Sequence, residues 1–514
     1  MMRTTSGWWA LGAVQLAVLA VGLDITILSV ALPTLATALH ASESDMQWFS
    51  SGYTLVLAAA MLPAGLLGDR YGRKKVMLIA LALFGAGSAA CAFAPTAGAF
   101  VAARLALGLA GAGVIVMAVS ALTVLFSEEE RPRAVAVWAG ANFLAMPLGP
   151  ILGGWLLSHY WWGWVFLINV PVALVGLVAA LVLVPESRAP ERPGLDLVGV
   201  ATSSAGLVGV TYGLIEAGRN GWGSVSALAP MIAGLGVLVG FLLWERRLSR
   251  LPDGQPLIEF ALFRSAFFTW GVVLMTVGTL AMVGVLFTMP QYYQAVLGTD
   301  AMGSGLRLLP LVAGLVAGLL PAARIARVVG AKITVALGFA VVGAGMLAGA
   351  TTSVESGDGF VLGWLAVVGS GFGLSFATAA SAALSELSVE RSGVGSAVLQ
   401  ALKNVGAPFG AAVLGSALIS VYRADLNLVG LPPGAARAVR ESVFAGVAVA
   451  HQLRSVSLLE SVRAAFVHGM DVSLMVSGGI AAAGVVLALA FLPGRAKMGE
   501  VEPSEKRQPR AVTG

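Results

Sequence analysis

The stretch from Gly65 to Lys75 reads GLLGDRYGRKK and lies between two long apolar runs. An ordinary basic loop between membrane spans would account for its arginines and lysines. It would not account for Asp69, nor for the glycines placed before and after that acid. Asp69 and the glycine spacing therefore distinguish this stretch from a plain basic loop.

The composition of the whole chain supports this interpretation. The 514 residues are 58% hydrophobic and 11% charged, whereas soluble domains carry about 25% charged residues. Apolar runs of about 20 residues, long enough to cross a bilayer, recur from end to end. We predict an all-α integral membrane protein with fourteen spans, near 8–37, 46–67, 76–94, 97–126, 134–158, 163–184, 197–216, 225–244, 265–292, 304–324, 332–354, 359–383, 394–421 and 471–492.

Basic residues set the expected orientation. They concentrate in the loops and tails that are cytoplasmic when the N-terminus is cytoplasmic, as the positive-inside rule requires. An even number of spans places the C-terminus on the same side. We therefore expect a multi-pass protein of a bacterial-type cytoplasmic (inner) membrane with both termini cytoplasmic. The net charge of +5 then reflects orientation and does not indicate a nucleic-acid partner.

The sequence also contains an internal repeat. SEEERPRAVAV precedes the fifth predicted span and LSVERSGVGSAV precedes the thirteenth, about 260 residues later. Six helices, a two-helix insert and six further helices would give this offset, and duplicated halves are typical of transporters. We predict an N-terminal six-helix bundle (1–190), inserted helices seven and eight with a linker (191–250), a C-terminal six-helix bundle (251–493) and a cytoplasmic tail (494–514).

The pattern G-x-x-x-D-R-x-G-R-K resembles the signature loop of the major facilitator superfamily. In that family the aspartate pairs with basic groups and helix ends of neighbouring helices and latches one conformation. Charge-assisted pairs suit a latch because they are strong and geometrically specific. The resemblance implies a major facilitator fold and a conformational latch formed by Gly65, Asp69, Arg70, Gly72 and Arg73.

A second stretch, GANFLAMPLGPILGG from Gly140 to Gly154, places helix breakers inside a predicted span. Lipid-embedded helices tolerate them where neighbouring helices bury them, and small residues allow close approach. A tightly packed, kinked helix is therefore one interpretation. The spacing also resembles the antiporter motif of drug:proton exporters in the same superfamily, carried here by Gly140, Gly149, Pro150, Gly153 and Gly154.

Other segments extend the resemblance over the whole chain. LDITILSVALP (23–33), QWFSSGYTL (47–55) and RLALGLAGA (104–112) resemble the first, second and fourth helices of the fourteen-helix drug:proton antiporters. Leu107 stands where a glutamine is commoner in the fourth-helix motif. That family exports quaternary ammonium compounds, dyes and antibiotics, so the resemblance implies a proton-coupled exporter of hydrophobic drugs.

Asp24 is the leading candidate for proton coupling, because a charge at membrane depth costs about 2.5–3.5 kcal/mol on insertion scales and is retained for a function. Arg104 is its expected basic partner. The alternative interpretations are a protonated structural acid and a pair that only packs two helices.

We expect a substrate cavity that combines polar, aromatic and flexible side chains with loose selectivity. Its predicted lining is Asp24, Tyr53, Asn142, Met146, Tyr292, Gln294 and Lys403. If Lys403 faces the cavity, it favours neutral, anionic or monocationic amphiphiles over dications. The alternative for this lysine is a packing role in a salt bridge to another helix.

The long segment 422–470 contains two amphipathic stretches, 434–449 and 455–468. We predict that it forms an external loop. A solvated cover and a flap over the external mouth are both consistent with the pattern.

Several function classes lack the residues they need. No G-x-x-x-x-G-K-[ST] nucleotide loop occurs, and the four histidines and single cysteine, Cys91, have no metal-ligand spacing. We expect no enzyme activity, no metal and no cofactor, with the proton gradient as the energy source. The expected partners of a monomer are small hydrophobic molecules and protons. A dedicated exporter of one endogenous metabolite and a proton-coupled solute importer are the alternatives.

Overall fold

The computed structural model describes residues 4–126, 148–187, 196–251, 256–257, 260–384 and 392–493. Within those ranges every regular element is a helix, the form in which a single segment satisfies its own backbone hydrogen bonds in lipid. A 3₁₀ turn (Phe260–Arg264) precedes α10, and a π-helical turn (Tyr292–Val296) extends it. The helices are α1 (Thr4–Ala38), α2 (Glu43–Tyr71), α3 (Arg73–Ala92), α4 (Ala97–Leu125), α5 (148–159), α6 (Trp164–Leu167), α7 (Asn169–Leu183), α8 (Leu197–Asn220), α9 (Val225–Leu248), α10 (Ala266–Gln291), α11 (Ala301–Arg307), α12 (Leu309–Val329), α13 (Ala331–Gly349), α14 (Asp358–Leu384), α15 (Ser392–Asp425), α16 (Pro433–Glu441), α17 (Val443–Gln452) and α18 (Val456–Phe491).

Twelve helical stretches of the described chain are long and apolar enough to cross a membrane. They coincide with twelve of the fourteen predicted spans. The second predicted span, 46–67, falls within α2, which is helical over its whole length. Only 148–159 of the fifth predicted span, 134–158, lies among the described residues. The all-helical membrane architecture is confirmed, and the count of fourteen stays a prediction.

The buried apolar residues form two large clusters. One is built almost entirely from α1–α7, which we call the N-terminal group. The other is built almost entirely from α10–α18, the C-terminal group. Helices α8 and α9 pack on each other, and α8 contacts both α2 and α15. The predicted domain boundaries near 190 and 250 fall in or beside segments outside the described residues and remain predictions.

Glycines bring α12 and α14 into close contact. Gly314 and Gly318 of α12 lie against the carbonyl oxygens of Ala366 and Ser370, so that neither glycine leaves room for a Cβ atom. Gly369 and Gly373 of α14 lie in the same way against the backbone of α12. Small residues spaced four apart on both helices are the pattern that permits this approach in lipid.

The segment 422–470, predicted as one long loop, is mostly helical in the structure. Helix α15 continues to Asp425 and α18 already begins at Val456, so the predicted stretch 455–468 belongs to the last long helix. Ser455 caps that helix by accepting from Leu458 N at 3.2 Å. Buried side chains such as Phe466 anchor it to the C-terminal group. The stretch 434–449 forms the two short helices α16 and α17.

The turn between α2 and α3 has a conformation that favours glycine. Gly72 has φ of +113°, and a Cβ atom there would lie 2.6 Å from Glu186 Oε1. Glu186 Oε1 accepts from Lys74 N at 3.2 Å and so places its carboxylate at the N-terminus of α3, where negative charge is favourable. Arg73 N donates to Ser187 O at 2.8 Å. The segment after α7 therefore fixes this turn.

We expect Gly72→Ala to lower the thermal stability of the purified protein more than Gly221→Ala. Both glycines have positive φ, which costs about 1–3 kcal/mol for other residues. Only at Gly72 would the new methyl group also meet a neighbour, because nothing lies within 4 Å of the Cβ position at Gly221. Equal losses in unfolding temperature for the two variants would show that the Glu186 contact contributes nothing.

Candidate functional site

An ion pair lies buried inside the N-terminal group. Arg104 Nη1 on α4 pairs with Asp24 Oδ2 on α1, and both side chains are 1% exposed. The two residues are 80 positions apart in the chain, and packing of α1 against α4 brings them together. The structure thus places the predicted acid beside the predicted base, while their role in proton coupling stays a prediction.

Arg104 has further partners that do not depend on Asp24. Its Nε donates to Phe49 O at 3.2 Å, and its guanidinium carbon lies 4.2 Å from the centroid of the Tyr53 ring. A cation over an aromatic face gains about 2 kcal/mol or more when both are desolvated. The charge of Arg104 is therefore stabilised from α2 as well as from α1.

The glycines of α4 explain how Tyr53 reaches this position. Gly108 lies against Tyr53 O, and a Cβ atom at Gly111 would lie 2.9 Å from Tyr53 Oη. Larger side chains at either glycine would push α2 away from α4. The small residues of the predicted fourth-helix motif therefore allow the aromatic ring to lie over Arg104.

Asn169 is a member of the site that the sequence interpretation missed. It lies at the start of α7, is 2% exposed, and its Nδ2 donates to Asp24 Oδ1 at 3.4 Å. An amide inside the apolar stretch VFLINVPVAL was the available signal. The site thus draws on α1, α2, α4 and α7.

The site is closed in this conformation. Asp24 is 2% exposed and Tyr53 is 0% exposed, so neither lines an open cavity here, although both were predicted as cavity residues. The buried hydroxyl of Tyr53 has no hydrogen-bond partner among the residues that the structure describes. A closed pair of opposite charges with one unsatisfied neighbour is an arrangement that can change when the carboxylate gains a proton.

Part of the predicted antiporter motif packs α5 against α1 on one side and against α11 of the C-terminal group on the other. Gly149 lies against Thr26 Oγ1 of α1, and Gly153 faces Ile27 Cγ2 at 2.9 Å from its Cβ position. On the other side, a Cβ atom at Gly154 would lie 2.8 Å from Met302 Cα of α11. Close packing, one of the two interpretations of this stretch, is therefore present.

Pro150 lies on the α11 side of the same helix, where its carbonyl oxygen faces Gly305. The other predicted members of this stretch, Gly140 of the motif and the cavity residues Asn142 and Met146, lie outside the described residues.

Further polar contacts join the two groups near the end that the predicted orientation places outside the cell. Gln294 Nε2 donates to Val30 O at 3.2 Å, and Gln291 Nε2 donates to Glu43 Oε1 at 3.3 Å. Together with the contact of α5 on α11, these bonds close this end of the molecule. We call these contacts the external layer.

Tyr292 and Gln294 belong to this layer and its surroundings, and the structure does not bring them to Asp24. Tyr292 is fully buried, and its hydroxyl donates to Ser353 O at 3.0 Å. Gln294 contacts α1 six residues beyond Asp24, roughly 9 Å along the helix. Their place in a substrate cavity stays a prediction.

Lys403 lies on α15 in the C-terminal group and is half-buried. Its ammonium group is 5.6 Å from the centroid of the Phe376 ring on α14. The structure therefore offers no support for the alternative that this lysine packs in a salt bridge, as far as the described side chains extend.

The residues of the predicted latch lie around the turn from α2 to α3. Gly65 packs on Val116 of α4, with 3.5 Å from its Cβ position to Cγ1, and Arg70 lies 5.7 Å from the Tyr71 ring centroid. The side chain of Asp69 lies outside the described part of the structure. Glu186, which the sequence interpretation did not single out, provides a carboxylate at this turn.

We expect Arg104→Gln to destabilise the protein strongly, because it leaves the Asp24 carboxylate buried without its counter-ion. Breaking such a pair costs about 3–5 kcal/mol, and adding Asp24→Asn should restore most of the thermal stability. Size-exclusion chromatography after heating in detergent measures both effects.

Arg307→Gln is the matched control, since Arg307 pairs with Asp358 at 2.9 Å in a partly exposed bridge, which contributes about 0–1 kcal/mol. If Arg104→Gln proves as stable as Arg307→Gln, the buried pair does not have the energetic role assigned to it.

Gly149→Ala should impair transport more than Gly12→Ala. A methyl group at Gly149 would meet Thr26, whose Cβ lies 2.7 Å away, whereas nothing lies within 4 Å of the Cβ position at Gly12 on the exposed side of α1. Overpacking of this kind costs about 1–3 kcal/mol. Dye export by cells that express equal amounts of the two variants measures the difference. Equal export by both variants would show that the contact of Gly149 with α1 tolerates a methyl group and is not needed for transport.

Comparison with known proteins agrees with this architecture. Residues 15–411 match the family model described as Major Facilitator Superfamily. The chain is 32% identical to the tetracenomycin C resistance and export protein of Streptomyces glaucescens, over 99% of this chain and 95% of that protein. It is also 32% identical to the multidrug efflux pump LfrA of Mycolicibacterium smegmatis, over 95% of this chain and 97% of that pump.

A solved structure shows the same fold. The bacterial homolog of the human lysosomal transporter Spinster, in an inward-facing and unoccupied conformation, superposes with a TM-score of 0.67, covering 96% of this chain and 99% of that one. The sequence identity is 14%, so this likeness concerns the fold alone. Since the family model spans most of the sequence and both relatives align over nearly its full length, the chain belongs to the major facilitator superfamily.

Proposed function

We propose that this protein is a proton-coupled antiporter that exports hydrophobic drugs or antibiotics across the cytoplasmic membrane by alternating access. The observation that carries the proposal is the buried pair of Asp24 and Arg104 at membrane depth, where a charged group is costly and indicates a function. The names of the two relatives, an antibiotic export protein and a multidrug efflux pump, support export as the direction and drugs as the cargo.

The contacts of Arg104 suggest how the pair takes part in exchange. A proton on Asp24 removes the charge that faces Arg104. The guanidinium then keeps the Phe49 carbonyl and the Tyr53 ring as partners, so the pair can separate without leaving an isolated buried cation. Loss of the proton restores the pair and draws α1 towards α4. Proton binding therefore biases the distance between two helices of the N-terminal group.

The external layer supplies the second element of the proposed cycle. It joins the two groups in the conformation described here, while drug reaches the protein from the cytoplasmic side. The intact pair makes the conformation described here the deprotonated one. Protons that bind Asp24 from outside favour the inward-facing state, and drug binding competes with them. Opening to the outside requires that α5 separate from α11 and that the bonds of Gln291 and Gln294 break.

The turn at Gly72 fits a latch at the cytoplasmic end. Glu186 and Ser187 hold the start of α3 through backbone amides, and Asp69 is the second acid in the family-like motif. In this proposal the turn stabilises one conformation by charge-assisted contacts, and both termini of the chain lie in the cytoplasm.

The range of substrates separates two versions of the proposal. One relative is named for a single compound and the other for many, so a dedicated exporter of one metabolite remains the second candidate. Competition by a panel of unrelated hydrophobic compounds for export of one dye distinguishes them.

Uptake of the neutral dye Nile red into inverted membrane vesicles tests the proposed activity. Respiration acidifies the vesicle interior, and an antiporter then accumulates dye in exchange for outgoing protons. We expect accumulation above that of vesicles lacking the protein, and its loss when a protonophore collapses the gradient. Accumulation that is insensitive to the protonophore would contradict proton coupling.

We expect Asp24→Asn to abolish gradient-driven accumulation while the protein stays folded, because the amide keeps the shape of the carboxyl but cannot exchange a proton. The variant should elute as a single species from size-exclusion chromatography. Near-normal, protonophore-sensitive uptake by this variant would remove Asp24 from the coupling mechanism.

A further inference from the structure

Lys403 lies in the first half of the long helix α15. It follows the first residue of α15, Ser392, by eleven positions, or roughly 16 Å at 1.5 Å per residue. Among the side chains that the structure describes it has no ion pair, and its recorded contact is the Phe376 ring at 5.6 Å. A cation at this depth must face water or a partner.

Contacts of its neighbours show which way this part of α15 faces. Leu402 and Gly406 lie towards α10, where Thr276 Oγ1 donates to Leu402 O at 3.2 Å. Asn404 lies towards α2 of the N-terminal group, with its Nδ2 3.5 Å from Met61 Sδ. Pro408 and Gly415 share the face of Asn404 and contact Ser51 and Gln47 of α2.

The opposite side of α15 packs on the inserted hairpin. Ser416 Oγ donates to Leu214 O of α8 at 2.6 Å, and Ala412 packs in the same cluster with α8. With 3.6 residues per turn, Lys403 falls between the face that meets α10 and the face that meets α2, and away from the face that meets α8. It therefore points towards the interior between the two groups of helices and not towards lipid.

An aromatic surface lies beside the ammonium group. Phe372 and Phe376, one turn apart on α14, are stacked with centroids 5.1 Å apart and planes at 28°. Phe372 is buried and packs on α10, with its ring 3.5 Å from the Cβ position of Gly278, so Phe376 is the ring that faces Lys403. Phe376 is half-buried, which leaves part of its ring open to a ligand.

The other mid-membrane charges do not compensate Lys403. On α18, which packs on α15, Asp471 follows Gly469 by two positions, and Gly469 meets Leu418 O, fifteen positions and roughly 22 Å beyond Lys403 along α15. Within the described parts of α1, α2, α4, α10, α12, α14 and α15, the charged side chains at mid-helix are Asp24, Arg104 and Lys403. The first two neutralise each other in a buried pair. Among the described side chains, no acid near Lys403 balances its charge, which lies next to an apolar aromatic ring.

We propose that Lys403 and Phe376 form a substrate subsite for planar aromatic compounds that carry a single acidic group, with the anion on the Lys403 ammonium and the ring system on the Phe376 ring, which Phe372 supports from behind. The inference rests on the proposed export function, whose substrate class it narrows. A dication would bring its second charge towards Lys403 and is disfavoured.

Three fluorescent probes of one shape and different charge test the subsite: anthracene-9-carboxylate, 9-(hydroxymethyl)anthracene and 9-(aminomethyl)anthracene. Fluorescence anisotropy measures their Kd values with the purified full-length protein in lipid nanodiscs. The wild type should bind the carboxylate most tightly and the amine most weakly. Lys403→Met should weaken carboxylate binding about tenfold or more, the range of a hydrogen bond to a charged group, while the neutral alcohol changes less than about twofold.

Further variants keep the test decisive if Lys403→Met folds poorly. Lys403→Arg should retain the preference for the carboxylate, and Phe376→Ala should weaken all three probes by similar factors. Arg307→Gln, which removes a paired cation at the external end, should leave all three affinities unchanged. Carboxylate binding that survives Lys403→Met, or an equal loss of all three probes in that variant, would overturn the assignment.

The binding assay needs no proton gradient, so it separates this inference from the proposed function. If the protein distinguishes the three probes by charge but shows no protonophore-sensitive export, the subsite is supported and the proposed antiport is contradicted. If export is sensitive to the protonophore but the protein binds the three probes equally, the proposed antiport is supported and the subsite is contradicted.

Discussion

Burial of Asp24 against Arg104 is the constraint on which the N-terminal group depends. Each of these groups would cost several kcal/mol to desolvate alone, and their attraction repays this only with good geometry and further hydrogen bonds. Asn169 supplies a hydrogen bond to the acid, and Phe49 O and the Tyr53 ring supply partners for the base. Four helices must therefore be held in register, and the small residues Gly108 and Gly111 permit this.

The same principle of close helix approach links this pair to the rest of the molecule. Helix α1 carries Asp24 on one side and meets α5 through Gly149 and Gly153 a short distance further along. On its other side α5 meets α11 of the C-terminal group. In the proposed mechanism, a movement of α1 therefore shifts α5, because the glycines of α5 pack directly on α1 and α11. The contact between the two groups then changes as well. In the proposed mechanism, this connection links proton binding at Asp24 to the external layer.

The sequence predicted the buried charges better than their surroundings. Asp24 and Arg104 stand out because ionised side chains are rare in apolar runs, and Lys403 for the same reason. Asn169 gives a weaker signal, since an amide at membrane depth is less costly than a charge. Glu186 could not be assigned to the turn at Gly72, because it lies 112 residues from Lys74 and only the packing of α7 on α3 brings them together.

Other differences arise from what hydropathy cannot distinguish. The amphipathic stretch 455–468 was predicted within a segment between two spans, whereas in the structure it is continuous with the last long helix, α18. Tyr292 and Gln294 were predicted as cavity residues. In the structure those side chains bond to backbone carbonyl oxygens of Ser353 and Val30. Hydropathy gives the depth of a residue but not the partner that it meets there.

The central claim is that drug and proton compete through the buried pair, and proton release on drug binding tests it most directly. Purified protein in a weakly buffered detergent solution with a pH indicator is mixed with saturating 9-(hydroxymethyl)anthracene. This probe has no group that ionises near neutral pH, so it neither releases nor takes up a proton itself. The account predicts acidification for the wild type and none for Asp24→Asn under conditions in which both bind the probe. The measurement is repeated at starting pH values from 5 to 8, about the range in which proteins are commonly most stable. If the wild type binds the probe saturably at each of these pH values and the pH of the solution never changes, the account is contradicted.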